Sequence, residues 1–245
     1  MSVSLVLALG VACKSTTTPE TQPPGDTSAS ASAEGETGDA VTPEGDGSGE
    51  AAGESGGDAM TGGQRALAVL DALQKKIDDD TETKSDRKQA HEQILEWDDG
   101  SAEYAFARAA LAGRRAQAQG MKAGGLVEEA ESFARRSIER DPGLREGAAQ
   151  RLLGSLYVLA PGRMVQHGDS ESGLEMLEED VEAHPDRADS HLRVAEAYIA
   201  LDDPEPAFPH LCFVLKAKGS IGGEDQRLLA QLIKDVGGES TLGCG

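Results

Sequence analysis

Apolar residues recur at three- and four-residue steps along most of the chain after Gln64, with Gly, Pro or Asp clusters between the periodic stretches. That spacing places one apolar stripe along a helix. Ala66, Val69, Leu70 and Leu73, followed by Lys75 and Lys76, predict a helix over 64–79. Ser85 is the expected N-cap of a second, reaching Trp97 before Asp98-Asp99-Gly100. Ser101 is expected to cap a third, to about 119, whose Ala105, Ala109, Ala112, Gly113 and Ala116 permit close approach of a neighbour. Gly124-Gly125 interrupts, and 126–140 carries Ala130, Ala134 and Ile138 on one face before Asp141-Pro142. Further helices are expected over 144–159, 170–183, 188–201, 205–216 and 224–236. Pro206 falls in a first turn, where its missing N–H is harmless, and Pro209 is expected to distort the start of that helix or delay it to 208. No stretch sustains the two-residue alternation of a strand.

Residues 14–63 break this pattern. They are almost entirely Ser, Thr, Pro, Gly, Ala, Glu and Asp, with no aromatic residue and one large aliphatic, Val41. Such a stretch lacks the apolar surface to offset the entropy of ordering and is expected to be disordered. Ten acids (Glu20, Asp26, Glu34, Glu36, Asp39, Glu44, Asp46, Glu50, Glu54, Asp58) face Lys14 alone, so this segment holds −9 of the net −21 and the remainder −12. Acidity on both parts excludes nucleic acid as a partner, because phosphate neutralisation needs a broad basic surface. Arg114-Arg115 and Arg135-Arg136 are read as helix residues facing solvent.

Residues 3–12, VSLVLALGVA, form a ten-residue apolar run directly before Cys13. That is too short to span a bilayer as a helix and suits the core of a signal peptide. The run from Leu9 to Cys13 resembles the lipobox of bacterial lipoproteins, although Gly10 stands where that family has Leu and no Lys or Arg precedes the run. The resemblance implies acylation at Cys13 and a lipid anchor. The expected organisation is a signal peptide over 1–12, a lipidation site and acidic linker over 13–63, and a helical domain over 64–245. Cys212 and Cys244 then remain, either paired in an oxidising envelope or present as one buried and one loose thiol.

Two stretches carry a repeat. Val194, Ala195, Tyr198, Ala207, Leu211 and Val214 form one copy, and Leu153, Gly154, Tyr157, Gly173, Leu177 and Pro185 a second with extra residues between its helices. A poorer third ends Ala130, Ala134, Pro142. Over about 102–217 this resembles the tetratricopeptide repeat (TPR) family, with its period of about 34 residues. The resemblance implies an all-α fold of stacked antiparallel helix pairs in a right-handed solenoid. It also implies a concave face, lined by Arg151, Ser155, Asp189, Leu192 and Glu196, that takes another protein or peptide. Leu153-Gly154-Ser155-Leu156-Tyr157, Ala160-Pro161-Gly162, Gly168-Asp169 and the 192–198 stretch look like the TatT component associated with TRAP transporters. That narrower likeness implies a periplasmic substrate-binding protein as partner and a small organic ligand.

Reactive constellations are scarce. His91-Glu92 has Leu95 where a zinc-protease helix needs its second His, no Gly-rich loop leads into Lys-Ser/Thr, and 218–222 lacks the Gly-x-Ser-x-Gly spacing. His167, His184, His191 and His210 are scattered over several elements, so no metal and no cofactor is expected. The irregular segment from Pro161 to Asp169 holds Arg163, His167 and Asp169, and is read either as a packed connector or as a ligand-contacting loop. The functional expectation is a non-enzymatic protein lipid-anchored in the bacterial envelope, on the periplasmic side of the outer membrane, recruiting a partner. The alternative is an accessory component of a TRAP-type transport system.

Overall fold

The computed structural model describes residues 60–244, and the expectations for 1–12, for Cys13 and for the linker up to residue 59 lie outside them. The described residues are all-helical. None of their helices is long and apolar enough to cross a membrane.

Helix α1 spans Gly62–Asp78, so the linker boundary expected at residue 63 moves back. Thr61 caps it reciprocally with Gln64, and Gly62 and Gly63 are buried. A Cβ on Gly63 would lie 2.9 Å from that of Glu103, which is why the chain enters the body on glycine. Helix α2, Lys84–Gln93, starts two residues before the expected position: Thr83, not Ser85, is its N-cap, because Asp86 returns a carboxylate to the Thr83 amide at 2.8 Å. It ends at Gln93, and the turn that follows buries Ile94 completely.

Helices α3 (Ala102–Gln119) and α4 (Gly124–Arg140) pack antiparallel, since Ser137 near the end of α4 donates to the Ala102 carbonyl at the start of α3 (3.0 Å). Ser101 caps α3 as the sequence indicates. Helix α5, Ala148–Leu159, begins four residues later than expected. Arg145, Glu146 and Gly147 all have positive φ (49°, 54° and 80°), and three left-handed residues in a row cannot belong to an α-helix.

Helix α6, Ser170–Ala183, runs antiparallel to α5 across a glycine contact. A Cβ on Gly173 would stand 2.7 Å from the Gly154 carbonyl oxygen, and one on Gly154 would stand 2.9 Å from the Gly173 carbonyl. Helices α7 (Ala188–Ala200) and α8 (Ala207–Lys216) form the next pair around Leu192, Ala195, Ala207, Leu211 and Val214. Pro209 is the third residue of α8 and still within the turn whose amides are free, so the helix starts at 207 undelayed. Helix α9, Gly223–Asp235, is followed by a short α10, Glu239–Leu242, which the sequence did not signal. Cys212 and Cys244 are joined by a disulfide that ties the segment after α10 to α8.

The ends of the array meet. The start of α9 lies on the end of α1: the Glu224 amide donates to Asp78 Oδ1 (3.0 Å) and Arg227 Nη1 to the Asp78 carbonyl (3.1 Å). Arg114 of α3 clamps the Glu224 carboxylate with two bonds of 2.7 Å, and Gln74 of α1 accepts from the same guanidinium. Burial raises the Glu224 pKa, but Arg114, Gln74 and Arg193 outweigh it and hold the carboxyl below its ordinary range.

Candidate functional site

Two of the five residues expected on the inner strip, Arg151 and Leu192, are buried. Leu192 is fully buried in the core around α7, α8 and α9, so it cannot line a binding face. Arg151 is 7 % exposed, and its placement on an open surface is corrected likewise. Its guanidinium donates to Asp180 Oδ1 (3.1 Å), lies 3.4 Å from Asp189 Oδ2 and donates to the carbonyls of Arg145 and Glu146. It therefore fastens the left-handed turn before α5 to α6 and α7. Ser155 Oγ is buried with no hydrogen-bond partner. Glu196 is engaged by Arg193 (3.1 Å), which also binds Asp225 of α9. The start of α9 stands against α7, α1 and α3, so the chain's own helix covers ground reserved for a partner.

Of the five expected residues, Asp189 borders an open cleft. The cleft, about 380 Å³, is lined by Asp186, Arg187, Ala188 and Asp189 at the start of α7 and by Ser220, Ile221, Gly222 and Asp225 at the start of α9. Asp189 holds Arg187 in a fork (2.9 and 2.6 Å), and Glu146 binds the same guanidinium. Burial pushes the Asp189 pKa up, but Arg187 and Arg151 outweigh it, so the group stays ionised at neutral pH. Asp225 is paired with Arg193. Asp186 is exposed and has no ion pair among the described residues, leaving one uncompensated carboxylate at the rim.

The connector from Pro161 to Asp169 is packed onto a carboxylate that the sequence reading passed over. Glu131 of α4 is 1 % exposed and accepts the amides of Gln166 (2.8 Å) and His167 (2.7 Å) and the Tyr157 hydroxyl (3.1 Å). His167 Nδ1 lies 3.1 Å from the same carboxylate. Burial raises the Glu131 pKa, yet these donors bring it below its ordinary value. Gly168 passes over the Tyr157 ring, where no side chain would fit. Asp169 is the N-cap of α6, its carboxylate accepting the Ser172 amide at 2.9 Å. Arg163 is exposed beside Met121. The three residues expected to form a ligand loop thus point to separate tasks, two of them structural. Glu131 was legible in retrospect, since it follows Val127 by four residues on the stripe of α4 that also carries Ala130 and Ala134.

Two clusters of side chains lie elsewhere. His191 Nε2 bonds the Pro185 carbonyl (2.8 Å), its Nδ1 meets His210 Nδ1 (2.8 Å), and its ring stacks on Phe213 with centroids 4.1 Å apart. On the outer side of α4, Ser132, Arg135, Arg136, Glu139 and Arg140 line a cleft of about 460 Å³ closed above by His167. Among the described residues no three or more His, Cys, Asp or Glu side chains are grouped so as to hold a metal ion. The described residues are all-helical, with one polar cleft at the starts of α7 and α9 and another on α4. No protein-family model matches the chain, and no curated protein matches it.

Proposed function

We propose that this chain is a non-enzymatic, envelope-anchored, TPR-like scaffold that recruits a partner protein through the cleft between the starts of α7 and α9. The solenoid reading is supported by the successive antiparallel pairs α3–α4 and α5–α6, followed by α7–α8, and by the small residues at their crossings. The anchor rests on the apolar run before Cys13 and the acidic linker after it.

The observation that carries the cleft is the unpaired, exposed Asp186 beside the ionised Asp189, on the part of the expected inner strip that α9 leaves open. Carboxylates at a rim, next to the apolar Ala188 and Ile221, suit a lysine or arginine of a partner whose stem lies on the apolar floor. Asp186→Lys should abolish partner capture from envelope extract, with an unchanged melting temperature, because an exposed charge contributes little to stability. Undiminished capture by this variant would remove the cleft from the function.

A second reading, the accessory component of a TRAP-type transport system, is favoured by the cleft's volume, which lies within the range of about 300–1,000 Å³ usual for small-molecule sites. It requires a periplasmic substrate-binding protein as the principal captured species, or a small organic ligand that raises the melting temperature. The scaffold reading requires neither.

A further inference from the structure

Residues 104–127 and 147–168 are the two longest stretches of this acidic chain without an Asp or Glu. The fold brings their ends together where α3 stops, α4 starts and α5 runs into the connector. Leu126, Ala160 and Met164 pack around Ala116 and Val127 there, and Arg163 Nη2 lies 3.5 Å from Met121 Sδ.

Large apolar side chains reach solvent at this end. Met121, on the turn Gly120–Lys122, is 57 % exposed, and Leu159, the last residue of α5, is 40 % exposed. Met164 closes a second turn, Gly162–Met164, and is half-buried. A Cβ added at Gly120, Gly124, Gly125 or Gly162 would meet nothing within 4 Å, so no other described residue lies over these turns. Lys122 and Arg163 are exposed beside them, and neither has an ion pair among the described residues. Along the chain the first carboxylates beyond are Glu128, which is exposed, and Asp169, which is committed to capping α6.

We propose that this end of the helical body docks on the surface of an anionic lipid bilayer, with Met121, Leu159 and Met164 as apolar tips and Lys122 and Arg163 at the phosphates. Exposed apolar side chains grouped inside a polar rim mark a contact with a protein or a membrane. Each of these stands on a turn or a helix end rather than along a groove, so the group suits insertion between headgroups more than a bound peptide. Charge supplies the second reason. Two unpaired cations face the bilayer where carboxylates are missing, and both have long apolar stems that can lie among the headgroups. The rest of the body is acidic and is repelled by the same lipids, which leaves this end as the one that approaches. Docking of this kind goes beyond the scaffold reading and does not require the anchor at Cys13.

The test uses the full chain carrying Cys13→Ser, so that no acyl chain contributes, with vesicles of phosphatidylcholine alone or mixed with phosphatidylglycerol. Amide hydrogen exchange at 120–125 and 160–166 should slow several-fold with the mixed vesicles and stay unchanged with the neutral ones. Lys122→Glu with Arg163→Glu should abolish that protection. Met121→Ser with Leu159→Ser should weaken it several-fold at an unchanged melting temperature, since both side chains are already solvent-exposed. Exchange that is unaltered at both segments, or slowed equally by neutral vesicles, would overturn the proposal. Protection that survives both pairs of substitutions would do the same. Protection by an added acidic, leucine-containing peptide, with none by vesicles, would also overturn it and assign this end to a protein partner.

Discussion

Asp78 Oδ1, at the end of α1, accepts the backbone amide of Glu224 at the start of α9, joining positions 146 residues apart. The first residues of α9 are Gly223 and Glu224, preceded by Gly222, so the helix has no side-chain cap of its own. A carboxylate from the opposite end of the sequence takes that role, and it also meets the positive end of the α9 dipole.

Asp78→Ala should therefore cost about 1 kcal/mol, the usual loss on removing a helix cap. Asp78→Asn should recover much of it. Urea unfolding followed by circular dichroism gives the measurement, with the neighbouring Asp79→Ala as a control expected within about 0.5 kcal/mol. A control loss equal to that at Asp78 would mean that the cap is not what joins the ends.

Arg151→Ala should destabilise by about 3–5 kcal/mol, because it strands the buried Asp180 carboxylate without a counter-charge. Arg151→Met, which fills the space, should still lose the bonds to the Arg145 and Glu146 carbonyls. Thermal melts of the two variants would show whether Arg151 is a structural clamp. A wild-type melting temperature in both would contradict its burial.

Glu131→Gln retains the size of the side chain and one acceptor for the connector's two amides, but loses the charge that holds them. Proteolytic cutting within the connector should speed up while the rest of the body stays resistant. The folded-state pKa of Glu131 is depressed, so its stabilisation is present above the unfolded value of about 4.3 and is lost as pH falls through the folded one. The wild type should accordingly become sensitive at this segment in acid, and Glu131→Gln should not change further.

His210 is expected to make the α7–α8 pair sensitive at milder pH. Burial and then the nearby His191 lower its pKa, so the folded state binds the proton less well than the unfolded chain. Stability is complete above the unfolded value of about 6.5 and declines as pH falls from there through the lowered folded one. His191 Nε2 faces the Pro185 carbonyl, which leaves its Nδ1 to accept from His210 Nδ1–H; the proton that charges His210 therefore enters at Nε2, and what opposes it is the half-buried setting of the ring beside His191. His210→Gln should flatten the stability profile between about pH 6.5 and pH 5. An unaltered profile would place the titration elsewhere.

The helices themselves were legible along the chain, because a helix is specified locally by its apolar period, its capping side chain and its breakers. Ser101 before α3 and the apolar stripes of α6, α7 and α8 sufficed for that. Where local signals competed, the nearest plausible cap was not the one used: Thr83 won over Ser85 because Asp86 could return its bond, a reciprocity that spacing shows only when both partners are checked.

Which side of each helix meets solvent was not decided locally. Arg151 and Leu192 occupy positions a repeat pattern assigns to an open groove. The left-handed turn at 145–147 and the return of α9 onto α1 and α3 enclose them instead. A charge such as Arg151 or Glu131 reads as surface in a sequence, since burial alone would be costly. Only the tertiary structure brings Asp180, Asp189 and backbone carbonyls to the one, and amides from a connector 35 residues away to the other, at the distances that make their burial stable.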